Sequence, residues 1–168
     1  MFRPLRRASQ ALTLEECVQI LKRESTMVLG VSGDDGYPYT VPLNFVYTDP
    51  DAARPLGTIG FHCAVSGHKL DAIRRDDKVS VCVISRDKVN APLRATDFES
   101  VIAFGKARIL TEPDELRKAA LKIGDKYARD YRAGCEAETE DTIRRGTLAC
   151  VEITLEHISG KRAKHLMR

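Results

Sequence analysis

From Phe98 to Leu110 the chain keeps a two-residue rhythm: Val101, Ala103, Ala107 and Ile109 fall on one face, and Gly105 stands in the middle. Alternation of this kind marks a strand with one buried side. A strand this long with a central glycine is built to bend, and a sharp mid-strand bend is what a small barrel needs. This segment narrows the fold more than any other.

Its neighbours agree with it. Thr26 to Ser32 places Met27, Leu29 and Val31 in alternation, Gly33-Asp34-Asp35-Gly36 reads as a turn, and Tyr37 to Tyr47 returns as the partner strand of a hairpin. Pro38 and Pro42 lie inside that returning strand, so its ladder is incomplete and it belongs at an edge or a bulge. Two readings stand side by side: the prolines blunt an edge, or they free backbone to face a flat ligand. Thr58 to Phe61 and the short apolar run from Lys78 to Ser85 add two strands. Leu148 to Ile158 adds a last one, half exposed, with Ala149, Val151, Ile153 and Leu155 on its inner side.

Helix signals are fewer. Thr13-Leu14-Glu15-Glu16 is a capping box ahead of apolar Cys17, Val18, Ile20 and Leu21, which predicts a helix over Leu14 to Arg23. Thr111-Glu112-Pro113-Asp114 opens another, with Leu116, Ala120, Ile123 and Tyr127 as its buried stripe, and a short helix is expected around Asp141 to Arg145. Asp49 to Pro55 reads as a loop, and Arg86 to Asp97 as a long polar loop able to close over a site. The sum is a mainly β chain: a six-stranded antiparallel barrel with peripheral helices, one domain over residues 1–168.

Composition excludes several roles. With 27 basic against 24 acidic residues the net charge of +3 does not ask for a nucleic acid, and no apolar run reaches the roughly 18 residues of a membrane span. Met1 to Arg7 lacks the apolar stretch of an export signal. The five cysteines are odd in number and without C-x-x-C spacing, which predicts reduced thiols in a cytoplasmic setting. No Ser-His-Asp order, paired acid–base carboxylates or metal motif stands out; His157 and His165 read as surface residues.

One stretch does carry chemistry. Phe61-His62-Cys63-Ala64-Val65-Ser66-Gly67-His68-Lys69 ends a strand at a polar turn and opens a short helix, with Ser66 as N-cap and Leu70, Ala72 and Ile73 on one face. Free N–H groups at a helix start, a glycine that permits close approach and a lysine beside them suit a phosphate. A capped joint with no ligand is the plainer reading of the same residues.

The ordered set Asp35-Gly36-Tyr37-Pro38-Tyr39, Val41-Pro42-Leu43-Asn44-Phe45, Phe61-His62-Cys63-Ala64, Gly67-His68-Lys69, Ser100-Val101-Ile102-Ala103-Phe104-Gly105 and Ser159-Gly160-Lys161 resembles the FMN-binding split-barrel superfamily. That superfamily includes pyridoxamine 5′-phosphate oxidase, and the set is most similar to its 5-nitroimidazole resistance (Nim) branch. The resemblance spans about Arg6 to Lys161. It implies FMN as cofactor, with Ser66, His68 and Lys69 at the phosphate and Pro42, Leu43, Asn44, Phe61, His62 and Cys63 along the ring and ribityl chain. Ser100 and Val101 are weaker candidates for phosphate or ribityl contact, and His62 is the implied catalytic residue, donating a proton or positioning substrate. The resemblance also implies a homodimer with flavins at the interface, and an oxidoreductase acting on a small, nitroaromatic-like molecule with electrons from a reduced nicotinamide or another carrier. The basic Lys161-Arg162-Ala163-Lys164-His165 is not the C-terminal substrate motif of pyridoxamine phosphate oxidase, so vitamin B6 oxidation is disfavoured. The alternative is a non-catalytic carrier or sensor that holds flavin or haem, with His62 or His68 as iron ligand.

Overall fold

The computed structural model describes residues 2–167. Helix α1 (Leu14–Arg23) begins on the expected capping box: Thr13 accepts from the Glu16 N–H while Glu16 accepts from that of Thr13. Strands β1 (Thr26–Ser32) and β2 (Pro38–Asn44) form the hairpin, its turn closed by Asp35 and Gly36 with positive φ. Then follow β3 (Val46–Thr48), β4 (Thr58–Cys63), α2 (His68–Arg75), β5 (Lys78–Asn90), β6 (Ala95–Leu110), α3 (Pro113–Tyr127), α4 (Arg132–Arg144) and β7 (Ala149–Arg162).

All the strands pair antiparallel in one sheet of order β2-β1-β5-β6-β7-β4-β3. The two ends of that order, β2 and β3, are joined by a single residue, Phe45. A sheet whose edges are one residue apart along the chain has rolled up on itself, so the architecture is a split barrel. The six strands expected from sequence become seven because the Tyr37–Tyr47 segment breaks at Phe45, which turns fully inward. Pro38 and Pro42 sit on β2, at the edge of the sheet order, where a missing N–H costs least.

The barrel interior is filled by alternate residues, among them Met27, Leu29, Ile59, Phe61, Val81, Val101 and Ile153, each at most 2% exposed. Gly105 faces the Thr154 carbonyl so closely that an added Cβ would lie 2.2 Å from its oxygen. There β6 and β7 slip register between Phe104 and Gly105, the bend that the sequence predicts. At one mouth α1 packs Cys17, Ile20 and Leu21 inward, seated over Gly160, where a Cβ would meet the Cys17 Sγ at 2.4 Å. At the other, α2 buries Leu70, Ala72 and Ile73.

Three expectations are corrected. Arg86 to Asp97 is no loop: β5 and β6 continue as a paired arm to Asn90 and Ala95, turned by Pro92 and by Arg94 in the left-handed region. Residues 86–89 are exposed on both faces, so the arm has no apolar alternation by which sequence could reveal it. The short helix around Asp141 is the end of the longer α4, whose one buried residue is Thr139. Finally, the N-cap of α2 is Gly67, not Ser66. Among the described residues no helix is long and apolar enough to cross a membrane, and no cluster of three or more metal-ligating side chains occurs.

Candidate functional site

Gly67 enters α2 with φ 133°, a backbone setting that favours glycine, and an added Cβ there would touch nothing within 4 Å. The first backbone acceptance is by the Gly67 carbonyl, from Leu70 and Asp71, which leaves the N–H groups of His68 and Lys69 without a helical partner. No side chain caps them. The turn thus presents two amide donors, the positive helix end and open space above a glycine.

The side chains around it are fixed differently. The His68 ring stacks on Tyr39 at 4.1 Å, and its Nε2 lies 3.3 Å from Asp34 Oδ2, which Arg75 also engages at 2.8 Å. Lys69 makes no ion pair among the described residues. Its charge is felt at the half-buried Cys63 thiol, where burial pushes the pKa up and Lys69 pulls it down. Ser66 is exposed beside them.

The barrel brings a second chain segment to this place. β3 and β4 pair as far as Val46 and Gly60; two residues beyond that rung the segments carry Asn44 and His62. On β2, Pro42 and Asn44 face outward, while Leu43 points inward onto the core. The Asn44 Nδ2 donates to the Ser25 carbonyl at 3.0 Å, which leaves its Oδ1 to accept from a ligand. On β4, His62 is exposed, and Phe61 is 1% exposed inside the barrel, so Phe61 reaches a ligand through its backbone alone. His62, Cys63, Ser66, His68 and Lys69 therefore follow one another from the end of β4 into α2, while Pro42 and Asn44 lie farther along β2 from Tyr39, on which His68 stacks.

Ser100 and Val101 lie apart from His62 along the strands, although Pro42, Val28, Cys82 and Ile102 share one rung across β2, β1, β5 and β6. His62 pairs with Cys150, and Cys150 with Leu110, whereas Ser100 pairs with Lys161 at the far end of β6. Ten residues of strand separate Leu110 from Ser100, roughly 33 Å along the sheet. Val101 is wholly buried in the barrel, and Lys161 lies with its Nζ 5.4 Å from the centre of the Phe98 ring.

Sequence reading misses a clamp beside the site. The Tyr127 hydroxyl lies 2.6 Å from the Phe45 carbonyl and 2.7 Å from that of Ser25, and it accepts from the Phe45 N–H at 3.1 Å. Lys126 donates to the carbonyls of Glu24 and Phe45 and sits 4.2 Å over the Phe45 ring; burial lowers its pKa. Together they hold the crossover at Phe45 that joins β2 to β3. Tyr127, expected in the buried stripe of α3, is instead 39% exposed, and it is its hydroxyl that reaches the backbone of Phe45 and Ser25. His165 and His157, expected as plain surface residues, are engaged too: His165 Nε2 lies 2.6 Å from Asp97, and Phe2 stacks on His157 at 4.6 Å.

Similar architecture recurs in solved structures. A conserved hypothetical protein from Mycobacterium tuberculosis superposes with a TM-score of 0.75 at 20% identity, over 98% of this chain and 94% of that one. A candidate 5-nitroimidazole antibiotic resistance protein from Bacteroides thetaiotaomicron gives 0.70 at 19% identity, over 90% and 85%. A protein from Mycobacterium smegmatis described as binding FAD and haem gives 0.75 at 16% identity, over 93% and 74%. At these identities the likeness is one of fold. No curated protein matches the chain. Residues 13–162, from the capping threonine of α1 to the end of β7, match the family model described as pyridoxamine 5′-phosphate oxidase. A match across every strand of the barrel settles descent: the chain belongs to the pyridoxamine 5′-phosphate oxidase family.

Proposed function

We propose that the protein is an FMN-dependent oxidoreductase of the nitroimidazole-reductase-like kind, working as a homodimer in the cytoplasm on a small molecule with electrons from a reduced nicotinamide. The observation that carries this reading is the uncapped start of α2. Two free amides and Lys69 open onto space above Gly67, in the turn that follows His62 and Cys63 at the end of β4. The residues present fit a phosphate-bearing flavin. Bound FMN would supply the redox chemistry that no side chain here can, which accounts for the lack of a nucleophile or metal motif.

The chain's own contribution is binding and placement. Lys69 and the amides of His68 and Lys69 hold a phosphate dianion, with the lysine adding a full charge to the helix-end partial charge. Asn44 offers Oδ1 as an acceptor beside the ring, and a ring nitrogen of the exposed His62 holds the proton for substrate. In a homodimer with the flavin at its interface, a second copy completes the site, with Ser100 as a candidate contact. Purified protein is titrated with FMN while flavin fluorescence is followed. Saturable quenching at a stoichiometry of about one per chain is expected, and protein that stays colourless and quenches nothing ends this reading.

A second reading is a non-catalytic carrier or sensor of flavin or haem, favoured by the fold shared with the FAD- and haem-binding protein. The absorption spectrum of protein purified without added cofactor separates the two. A Soret band that disappears in His62→Ala or His68→Ala supports haem; flavin bands with turnover of a reduced nicotinamide exclude it.

A further inference from the structure

Between the end of β4 and the α3–α4 pair lies a cavity of about 260 Å³, floored by Ile123 and Leu148 and walled by His62, Tyr127, Thr139 and Glu138. An engineered apolar cavity of about 150 Å³ already holds benzene, so this one takes a single substituted ring. Its polar groups are unequal. Tyr127 is committed to the backbone of Phe45 and Ser25, and Thr142 donates back into its own helix. Thr139 is 8% exposed.

Glu138 stands apart on a strongly acidic helix. Its neighbours are all neutralised: Glu136 by Arg132, Glu140 by Arg117, Asp141 by Arg144 and Arg145. Glu138 has no such partner among the described residues, and no lysine or arginine lines the cavity. An unpaired carboxylate over an apolar floor attracts a cation or a strong N–H donor and repels an anion.

We propose that this cavity is the substrate pocket and that Glu138 makes it selective for small planar molecules bearing a cationic or N–H donor group, held with their ring against Ile123 and Leu148 and one edge at His62. This rests on the flavin reading for its catalytic meaning but not for the binding itself. Glu138 is the specificity-determining residue, and Thr139 offers a second polar contact.

Benzamidinium and its neutral isostere benzamide are titrated into the full-length protein, with and without FMN, reading titration heat and the His62 ring signals by NMR. Benzamidinium is expected to bind at least tenfold more tightly than benzamide and to shift the His62 signals. Glu138→Gln keeps the side chain's shape and should abolish the difference; Glu138→Lys should turn the preference towards benzoate. Equal affinities, a preference that survives both substitutions, or binding that leaves His62 unmoved overturns the proposal. Charge-selective binding in protein that takes no FMN would sink the flavin reading and leave the pocket standing; FMN binding without charge selection does the reverse.

Discussion

At the scale of single residues, Lys69 is the sharpest test of the α2 turn. It has no carboxylate partner among the described residues, so its removal breaks no ion pair of the fold and its loss reads out on the ligand. Lys69→Ala should weaken FMN binding by about 1.5–3 kcal/mol, roughly 10- to 150-fold, as expected for a charge-assisted bond to phosphate. Unchanged affinity in a fluorescence titration would remove Lys69 from the site. Glu99 makes the opposite case, a charge used by the fold. Burial alone would raise its carboxyl, but Arg162, Arg23 at 3.0 Å and the Ser85 hydroxyl at 3.2 Å outweigh it and hold the pKa below the ordinary 4.5. A carboxylate lowered in the folded state stabilises above its unfolded value, and the contribution is lost as pH falls below about 4.5 through the folded value. Urea unfolding at pH 7 and pH 4 should therefore show a smaller fall for Glu99→Gln than for the parent. Equal falls would mean that other carboxylates carry the acid sensitivity.

At the scale of elements, Gly105 ties sequence to curvature. Any side chain there meets the Thr154 backbone at 2.2 Å, and a backbone oxygen cannot swing away as a side chain would. Gly105→Ala should cost about 3 kcal/mol or more, measured by thermal or denaturant unfolding, because the β6–β7 bend must open to admit it. A near-neutral result would show the barrel tolerating a flatter strand. That bend was legible in the sequence because a glycine interrupts an otherwise regular alternation. The capping box of α1 and the hairpin turn were legible for the same reason: the chemistry is local. What escaped is what depends on distant partners. In the arm formed by residues 86–97, residues 86–89 are exposed on both faces, so the pairing leaves no hydrophobic trace. α4 buries one threonine and is held by ion pairs to α3 and within itself, and no apolar stripe announces it. The N-cap moved from Ser66 to Gly67 because the turn uses a positive φ in place of a side-chain cap. For the site, the strand-end motifs gave the residues, but the closure of the sheet through Phe45, held by Tyr127 and Lys126 from α3, is visible only in the fold.

At the scale of the whole molecule, the barrel is unevenly covered. The outward face of β5 and β6 leaves Ile84 56% and Ile102 43% exposed, flanked by Cys82 and by Phe104, on which Phe2 stacks. This face also carries Ser100, which pairs with Lys161 on β7. A two-fold partner laid on it would cover this apolar surface. We therefore expect a stable homodimer burying more than about 2,000 Å², as obligate dimers do. FMN that touches both chains must then strengthen the dimer, since a ligand bound only to the assembled form shifts the equilibrium by mass action. Sedimentation equilibrium over a wide concentration range, with and without FMN, measures both quantities together. Ile102→Lys, which puts a charge into the apolar face and leaves the α2 turn intact, should weaken the dimer and FMN affinity in step. A monomer that keeps full flavin affinity would show that one chain suffices for the site.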